Sequence, residues 1–273
     1  MEKGESTSEG DWRYFQQGPE LMVVDLGFSF ETFSVQQLKV SEQSFQFPSQ
    51  LMLGKQAEYC FEYMVKHSEQ YEVLAANIQI QGEEQTLGEL DYLLFDTKTD
   101  KNLHVELACK FYLYDESLGD APVEKWIGPN RKDRLVEKLQ KLKNHQFPLL
   151  YSEATESLLE SLQLQPSTIE QQLCLKSFLF LPKGMEKSDL PEAFSDCIIG
   201  RHIKIDDFTP KNYLGAFYLP QKKEWLLSPD SHTTWISFEE VKRQLDEKRS
   251  QKRSALVYHK TNKGIELFFV RWW

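Results

Sequence analysis

The stretch HVELACKFYLY, residues 104–114, has the composition of a buried β-strand. Side chains alternate across a strand, so one face carries only apolar core residues, namely Val105, Leu107, Cys109 and Phe111. The other face carries Glu106 and Lys110, with only the small Ala108 between them. A carboxylate on a largely buried strand is costly unless it pairs with a cation or binds a metal. The carboxylate of Glu106 therefore requires a cation or a metal ion as its partner.

Two similar stretches precede it, YEVLAANIQIQ (71–81) and TLGELDYLLFD (86–96). The short polar connections GEEQ and TKTDKN predict that the three strands form an antiparallel meander. On the second strand Asp91 shares a face with Glu89 and Leu93. Two neighbouring strands thus each place an acid, Asp91 and Glu106, inside apolar sequence.

The rest of the chain predicts an α/β (α+β) fold in three parts. Residues 1–50 are expected to form an N-terminal arm whose first ten residues are disordered. Residues 51–182 form the core, with a helix over 51–68, another over 133–146 and a buried strand at 174–182. Residues 183–273 form a small C-terminal α/β unit, with short strands at RHIKI, YLGAFYLP and EWLLSP, one helix and a terminal hairpin.

Composition excludes several classes of protein. The formal net charge is −10, from 32 basic and 42 acidic residues, so any nucleic-acid contact requires a local basic surface. The four cysteines form no CxxC pair and lie mostly in apolar patterns, which favours reduced thiols and a cytoplasmic location. No apolar run approaches the roughly 18 residues of a membrane helix. Motifs of NTPases, dinucleotide-binding proteins and serine hydrolases are absent from the sequence.

The acids allow two interpretations. Lys110 alone neutralises Asp91 or Glu106 in a structural ion pair, which is the common role of such residues. Alternatively the acids, joined by Glu58 of the first helix, hold a divalent cation. Clustered carboxylates repel one another unless a cation offsets them, and hard oxygen ligands suit Mg²⁺ or Mn²⁺. His104 is expected at the rim, and Glu89 is either a ligand or an exposed neighbour.

A basic segment follows the third strand. Seven Lys or Arg residues against three acids lie between positions 121 and 150. On the helix they form one stripe of Arg134, Lys138, Lys141 and His145, preceded by Arg131 and Lys132. A solvated helix face is the simple explanation. Its position beside the acids favours a surface that guides phosphates.

The order of these features resembles the PD-(D/E)XK nuclease-like superfamily. Four sequence segments also resemble a bacterial family of uncharacterised proteins placed in that superfamily, namely LGKQAE, LGELDYLLFD, HVELACKFYLY and IGPNRKDRL. The resemblance covers residues 51–182 and implies a restriction-endonuclease-like core, a mixed sheet flanked by helices. It also implies roles: Glu58, Asp91, Glu106 and the backbone carbonyl of Leu107 hold Mg²⁺ or Mn²⁺, and Lys110 activates water or stabilises the phosphate.

The lysine departs from the superfamily pattern. Ala108 stands at the usual lysine position, and Lys110 comes two residues later on the same face, about 7 Å along the strand. Its flexible stem has room to reach back over Ala108. The expected function is metal-dependent phosphodiester hydrolysis of nucleic acid, foremost DNA, with Arg131, Arg134, Lys138 and Lys141 binding the nucleic acid. The alternatives are a catalytically weak nuclease-fold protein that binds nucleic acid or assembles with partners, and a purely structural acid–lysine network.

Overall fold

The computed structural model describes residues 12–41, 44–230 and 233–273. It shows a mixed sheet flanked by helices, which confirms the predicted α+β class. The expected disorder of the first ten residues concerns a segment outside the described residues.

Ten strands form the sheet. They are β1 (Glu31–Thr32), β2 (Tyr71–Gln81), β3 (Thr86–Asp96), β4 (Lys101–Tyr114), β5 (Trp126–Ile127), β6 (Ile169–Pro182), β7 (Ile198–Lys204), β8 (Ala216–Tyr218), β9 (Ala255–Thr261) and β10 (Gly264–Arg271). Eight of them run across the sheet in the order β2-β3-β4-β6-β7-β10-β9-β8, while β1 pairs with β6 and β5 with β4.

The first three long strands form the predicted antiparallel meander. β2 pairs with β3 along most of its length, and β3 pairs with β4 from Asp96–Lys101 to Tyr92–Val105. β4 then pairs in parallel with β6, from Asn102–Ile169 to Leu113–Phe180. A parallel neighbour requires a crossover, and the intervening helices between residues 135 and 161 provide it.

In the described part of the chain, six α-helices flank the sheet. They are α1 (Trp12–Gln17), α2 (Leu53–Lys66), α3 (Leu135–Lys141), α4 (Phe147–Leu149), α5 (Glu153–Ser161) and α6 (Phe238–Ser250). A π-helical turn, Leu142–Gln146, joins α3 to α4, so the predicted helix over 133–146 begins later and changes pitch before its end. Ser237 caps α6, because its Oγ accepts a hydrogen bond from the backbone N–H of Glu240 (3.3 Å).

β4 separates two hydrophobic cores. Val105, Leu107 and Phe111 pack on the side of α2, as the alternation predicts. Ala108 and Tyr112 pack on the opposite side, against the leucines of α3. Glu106 shares this second face, so its carboxylate lies beneath the helix that carries the basic stripe. All four cysteines are free thiols, as expected.

The C-terminal residues extend the same sheet. β7 pairs in parallel with β6, and β10 pairs in parallel with β7, so one sheet continues past residue 182. The segment EWLLSP is not the predicted strand. It continues a 3-10 turn, Lys222–Glu224, and Trp225 and Leu226 anchor it in the core beside α2 and β4. An apolar stretch this short does not distinguish a strand from a buried turn.

Buried polar contacts fix the N-terminal arm to the centre of the sheet. Lys176 of β6 has no exposed surface, and its Nζ lies 2.8 Å from Oε1 of Glu20. The same ammonium donates to the backbone carbonyls of Gln16 and Gly18, both at 2.8 Å. With three acceptors around three donors, the buried cation is fully satisfied.

Candidate functional site

The candidate site lies where β3 and β4 separate. Their backbone pairing ends at the pair Tyr92–Val105, which is adjacent in the chain to Asp91 on β3 and to Glu106 on β4. Beyond that point Oδ2 of Asp91 accepts a hydrogen bond from the backbone N–H of Leu107 (2.8 Å). A side chain thus replaces the backbone partner that β3 would otherwise supply to β4. The structure therefore brings Asp91 next to Glu106, as the alternation of both strands predicts.

The two acids influence each other electrostatically. The pKa of Asp91 is raised to about 7, chiefly because the carboxyl group is removed from water and secondly because Glu106 is negatively charged. The Leu107 hydrogen bond and the nearby Lys138 act in the opposite direction. At neutral pH the site therefore favours either a proton or a further cation.

Glu106 is held in place by a buried hydrogen-bond network. Neither Glu106 nor His104 has exposed surface, and Nε2 of His104 lies 3.1 Å from Oε1 of Glu106. On the other ring nitrogen, Nδ1 lies 3.0 Å from Nε2 of Gln171, which donates to it. These partners place the imidazole proton on Nε2. The prediction that His104 lies at the rim is therefore wrong. The residue is buried and fixes the orientation of Glu106.

Gln146 completes this network from the helix side. Its Nε2 donates to Oε2 of Glu106 (3.3 Å) and to the backbone carbonyl of Glu89 (3.2 Å). The residue lies at the end of the π-helical turn, where the change of pitch shifts the phase of the helix. π-Helical turns often occur at functional sites. Nothing in the sequence pattern marks Gln146, because a polar residue near a helix end is normally exposed.

Lys110 does not contact the two acids in this structure. Its Nζ lies 3.0 Å from Oδ2 of Asp133, and the two side chains are 35% and 43% exposed. Asp133 lies in the loop before α3, next to the N-cap residue Arg134. An exposed ion pair of this kind contributes little to stability.

Lys138 takes the position near the acids instead. Burial lowers the pKa of its ammonium, and the charges of Glu106 and Asp91 partly restore it. Lys138 comes from the first full turn of α3 and lines a cavity together with Ala108. Lys138 and the small Ala108 thus border the same space.

This cavity has a volume of about 280 Å³ and lies along β4 from Leu107 to Phe111, directly after Glu106 in the chain, while Asp91 and Glu106 themselves do not line it. Its lining includes charged side chains from four parts of the chain, namely Glu58, Lys110, Asp133, Lys138 and Lys222. Glu58 of α2 therefore faces the same space as the predicted site. Its carboxylate, however, bonds to Nζ of Lys55 on the same helix (2.5 Å).

The other predicted nucleic-acid contacts are distributed differently. Arg131 forms an ion pair with Asp115 (2.7 Å), and its guanidinium lies 4.4 Å from the ring centroid of Trp273. Arg134 donates to the backbone carbonyl of Glu124 (2.6 Å). Lys141 lines a separate groove beside Gly88 and Gln146. Only Lys138 of the predicted stripe lines the cavity next to the acids.

The donor set suits a hard divalent ion in part. Asp91 and Glu106 supply two carboxylates whose mutual repulsion a cation would relieve. Mg²⁺ is commonly held by one or two carboxylates and keeps several waters. Among the described residues, no group of three or more His, Cys, Asp or Glu side chains converges at metal-binding distance. The fit is therefore to a two-carboxylate site, with Glu58 outside the immediate ligand set.

The comparisons with known proteins give a family but no activity. Neither a curated protein sequence nor a solved structure matches this chain. Within the described residues, no helix is long and apolar enough to cross a lipid bilayer. One family profile matches residues 33–267, which cover β2 to β9, the first half of β10 and the whole candidate site. The chain therefore belongs to the family described as Domain of unknown function (DUF1853).

Proposed function

We propose that this protein hydrolyses phosphodiester bonds in nucleic acid, foremost DNA, with Mg²⁺ or Mn²⁺ bound at Asp91 and Glu106. The observation that supports this most is the pair of acids at the point where β3 and β4 separate, with Lys138 beside them. A lone structural ion pair does not account for two acids so close that the charge of one raises the pKa of the other. A bound cation would offset both charges.

Two acids would bind the ion, and three neighbouring residues would keep them in position. Asp91 and Glu106 would hold the ion, with Leu107 fixing Asp91 and His104 and Gln146 fixing Glu106. The bound ion would supply positive charge at the phosphate and lower the pKa of its water. Positioned carboxylates of this kind cost no reorganisation during reaction.

Lys138 would take the role that the resemblance assigns to Lys110. Its ammonium already lies within the electrostatic influence of both acids. Stabilisation of negative charge on a phosphate requires a cation at that place, whichever element supplies it. Lys110, paired with Asp133, would stay at the edge of the same cavity. Glu58 would contribute through water after releasing Lys55.

The direct test uses Asp91→Ala and Glu106→Ala in a plasmid and oligonucleotide cleavage assay with Mn²⁺. Loss of metal-dependent cleavage in both variants is expected, since each removes one of two carboxylate ligands. Glu72→Ala is the matched control, because it removes an exposed carboxylate from the neighbouring strand β2. Full activity in both Asp91→Ala and Glu106→Ala would refute the proposal.

A second candidate is a nuclease-fold protein that binds nucleic acid or assembles with partners without cleaving. The pairing of Lys110 with Asp133 and the net charge of −10 favour it. Calorimetry with Mn²⁺ separates the two candidates. Absence of metal binding, together with a DNA affinity that metal does not change, would select the non-catalytic protein.

A further inference from the structure

One wall of the cavity beside β4 comes from the C-terminal part of the chain. Lys222 and Trp225 line it opposite residues of α2, β4 and α3. They belong to the 3-10 turn at residues 222–224 and the segment directly after it. The C-terminal residues thus reach the candidate site.

This turn is firmly held. The Trp225 ring is 5% exposed and packs against Phe111 of β4 and Phe269 of β10, each with ring centroids 5.1 Å apart. Glu224 closes the turn, because its Oε2 accepts a hydrogen bond from the backbone N–H of Gln221 (2.7 Å). The backbone of Lys222 is therefore fixed by a buried anchor three residues later, while its own side chain is exposed.

The other charged side chains around the cavity have partners of opposite charge, and in the described residues Lys222 has none. Lys110 is paired with Asp133, and Lys55, on the adjoining face of α2, is paired with Glu58. Lys138 interacts electrostatically with Glu106 and Asp91. In the part of the chain that the structure describes, no carboxylate lies within ion-pairing distance of Lys222. Its Nζ lies 5.9 Å from the ring centroid of Trp225.

We infer that Lys222 binds a backbone phosphate of the nucleic-acid strand that occupies this cavity, so that residues 183–273 form one wall of the substrate site. The inference rests on the proposed function and names a residue of the substrate site outside the nuclease-like segment 51–182. A cation whose backbone is fixed beside the cavity and whose ammonium has no ion-pair partner can contact a phosphate without breaking an existing ion pair. Contacts of this kind position the strand without reading its sequence.

The test measures binding of a fluorescent single-stranded oligonucleotide by anisotropy, over a range of salt concentrations. The full-length chain is used with Ca²⁺, whose long and flexible coordination offsets the acids, and a gel confirms that the oligonucleotide stays intact. Lys222→Ala should weaken binding about fivefold, the size of one exposed ion pair. It should also reduce the slope of log K against log salt by about 0.7, the value for one phosphate contact on a single strand.

Lys223→Ala is the matched control, because the neighbouring lysine is absent from the cavity lining. Lys222→Arg should restore the slope, because it keeps the charge. If the wild type binds and Lys222→Ala binds with the same slope, the inference is wrong while the proposed function stands. If the wild type binds no nucleic acid with either Ca²⁺ or Mn²⁺ and cleaves none, both fall.

Discussion

Asp91→Asn should stabilise the folded protein at alkaline pH while it abolishes metal binding. Asparagine has nearly the shape of aspartate, and its Oδ1 can still accept the hydrogen bond from the backbone N–H of Leu107. The substitution removes only the charge. In the native protein that charge is disfavoured by burial and by Glu106, which together raise the pKa of Asp91 from 3.8 to about 7.

The magnitude follows from this pKa difference. Between pH 3.8 and about 7 the folded state binds the proton more tightly than the unfolded chain, so ionisation of Asp91 weakens folding as the pH rises. About three pKa units at about 1.4 kcal/mol each correspond to roughly 4 kcal/mol above pH 7. Asp91→Asn should recover up to that amount at pH 8, less than about 2 kcal/mol at pH 5, and nothing at pH 3.

Urea unfolding of both proteins at these three pH values, in EDTA, measures the difference. Mn²⁺ at pH 8 should then raise the stability of the wild type and leave that of Asp91→Asn unchanged, because a ligand stabilises only the state that binds it. A purely structural acid–lysine network gives the opposite result. If Asp91→Asn destabilises the protein at pH 8, the electrostatic account of this site is wrong.

Two further outcomes are expected. Lys138→Met should lower the rate of metal-dependent cleavage by about 10²-fold or more, because it removes the cation beside the acids, while Lys110→Met should lower it by less than about tenfold. Single-turnover cleavage rates measure both effects. A larger loss in Lys110→Met than in Lys138→Met would assign the catalytic role to Lys110. The buried His202, whose Nε2 lies 2.8 Å from the carbonyl of Tyr114, has its pKa lowered by burial from 6.5 to about 4, so it contributes stability that is complete above pH 6.5 and declines as the pH falls towards 4. Between pH 7 and pH 4 the free energy of unfolding, measured by urea titration, should fall by about 3 kcal/mol less in His202→Gln than in the wild type. An unchanged pH profile would contradict this.

Local pattern was enough to predict the part of the fold that holds the acids. Period-two alternation and two short polar connections define β2, β3 and β4, and the same alternation places Asp91 and Glu106 on one face. These features depend only on neighbours in sequence. The continuation of the sheet from β6 to β7 and β10 depends on long-range pairing, which no local pattern records.

The cations of the site could not be predicted in the same way. Lysine has a long side chain, so its position depends on which carboxylate lies within reach in the folded protein. Lys110 lies on the predicted face of β4 yet pairs with Asp133 from the following loop. Lys138 approaches the acids because α3 crosses above Ala108, a tertiary arrangement that the stripe pattern alone does not define.

The place of β6 at the centre of the sheet also affects how the chain can fold. This strand is bordered by β4 on one side and β7 on the other, and β7 is in turn covered by β10, which ends at Arg271. During synthesis the free edge of β7 therefore stays unpaired until β10 has been made. Such high contact order slows folding and exposes sheet edges to aggregation. Chaperone dependence and insolubility of C-terminally shortened chains are the expected consequences.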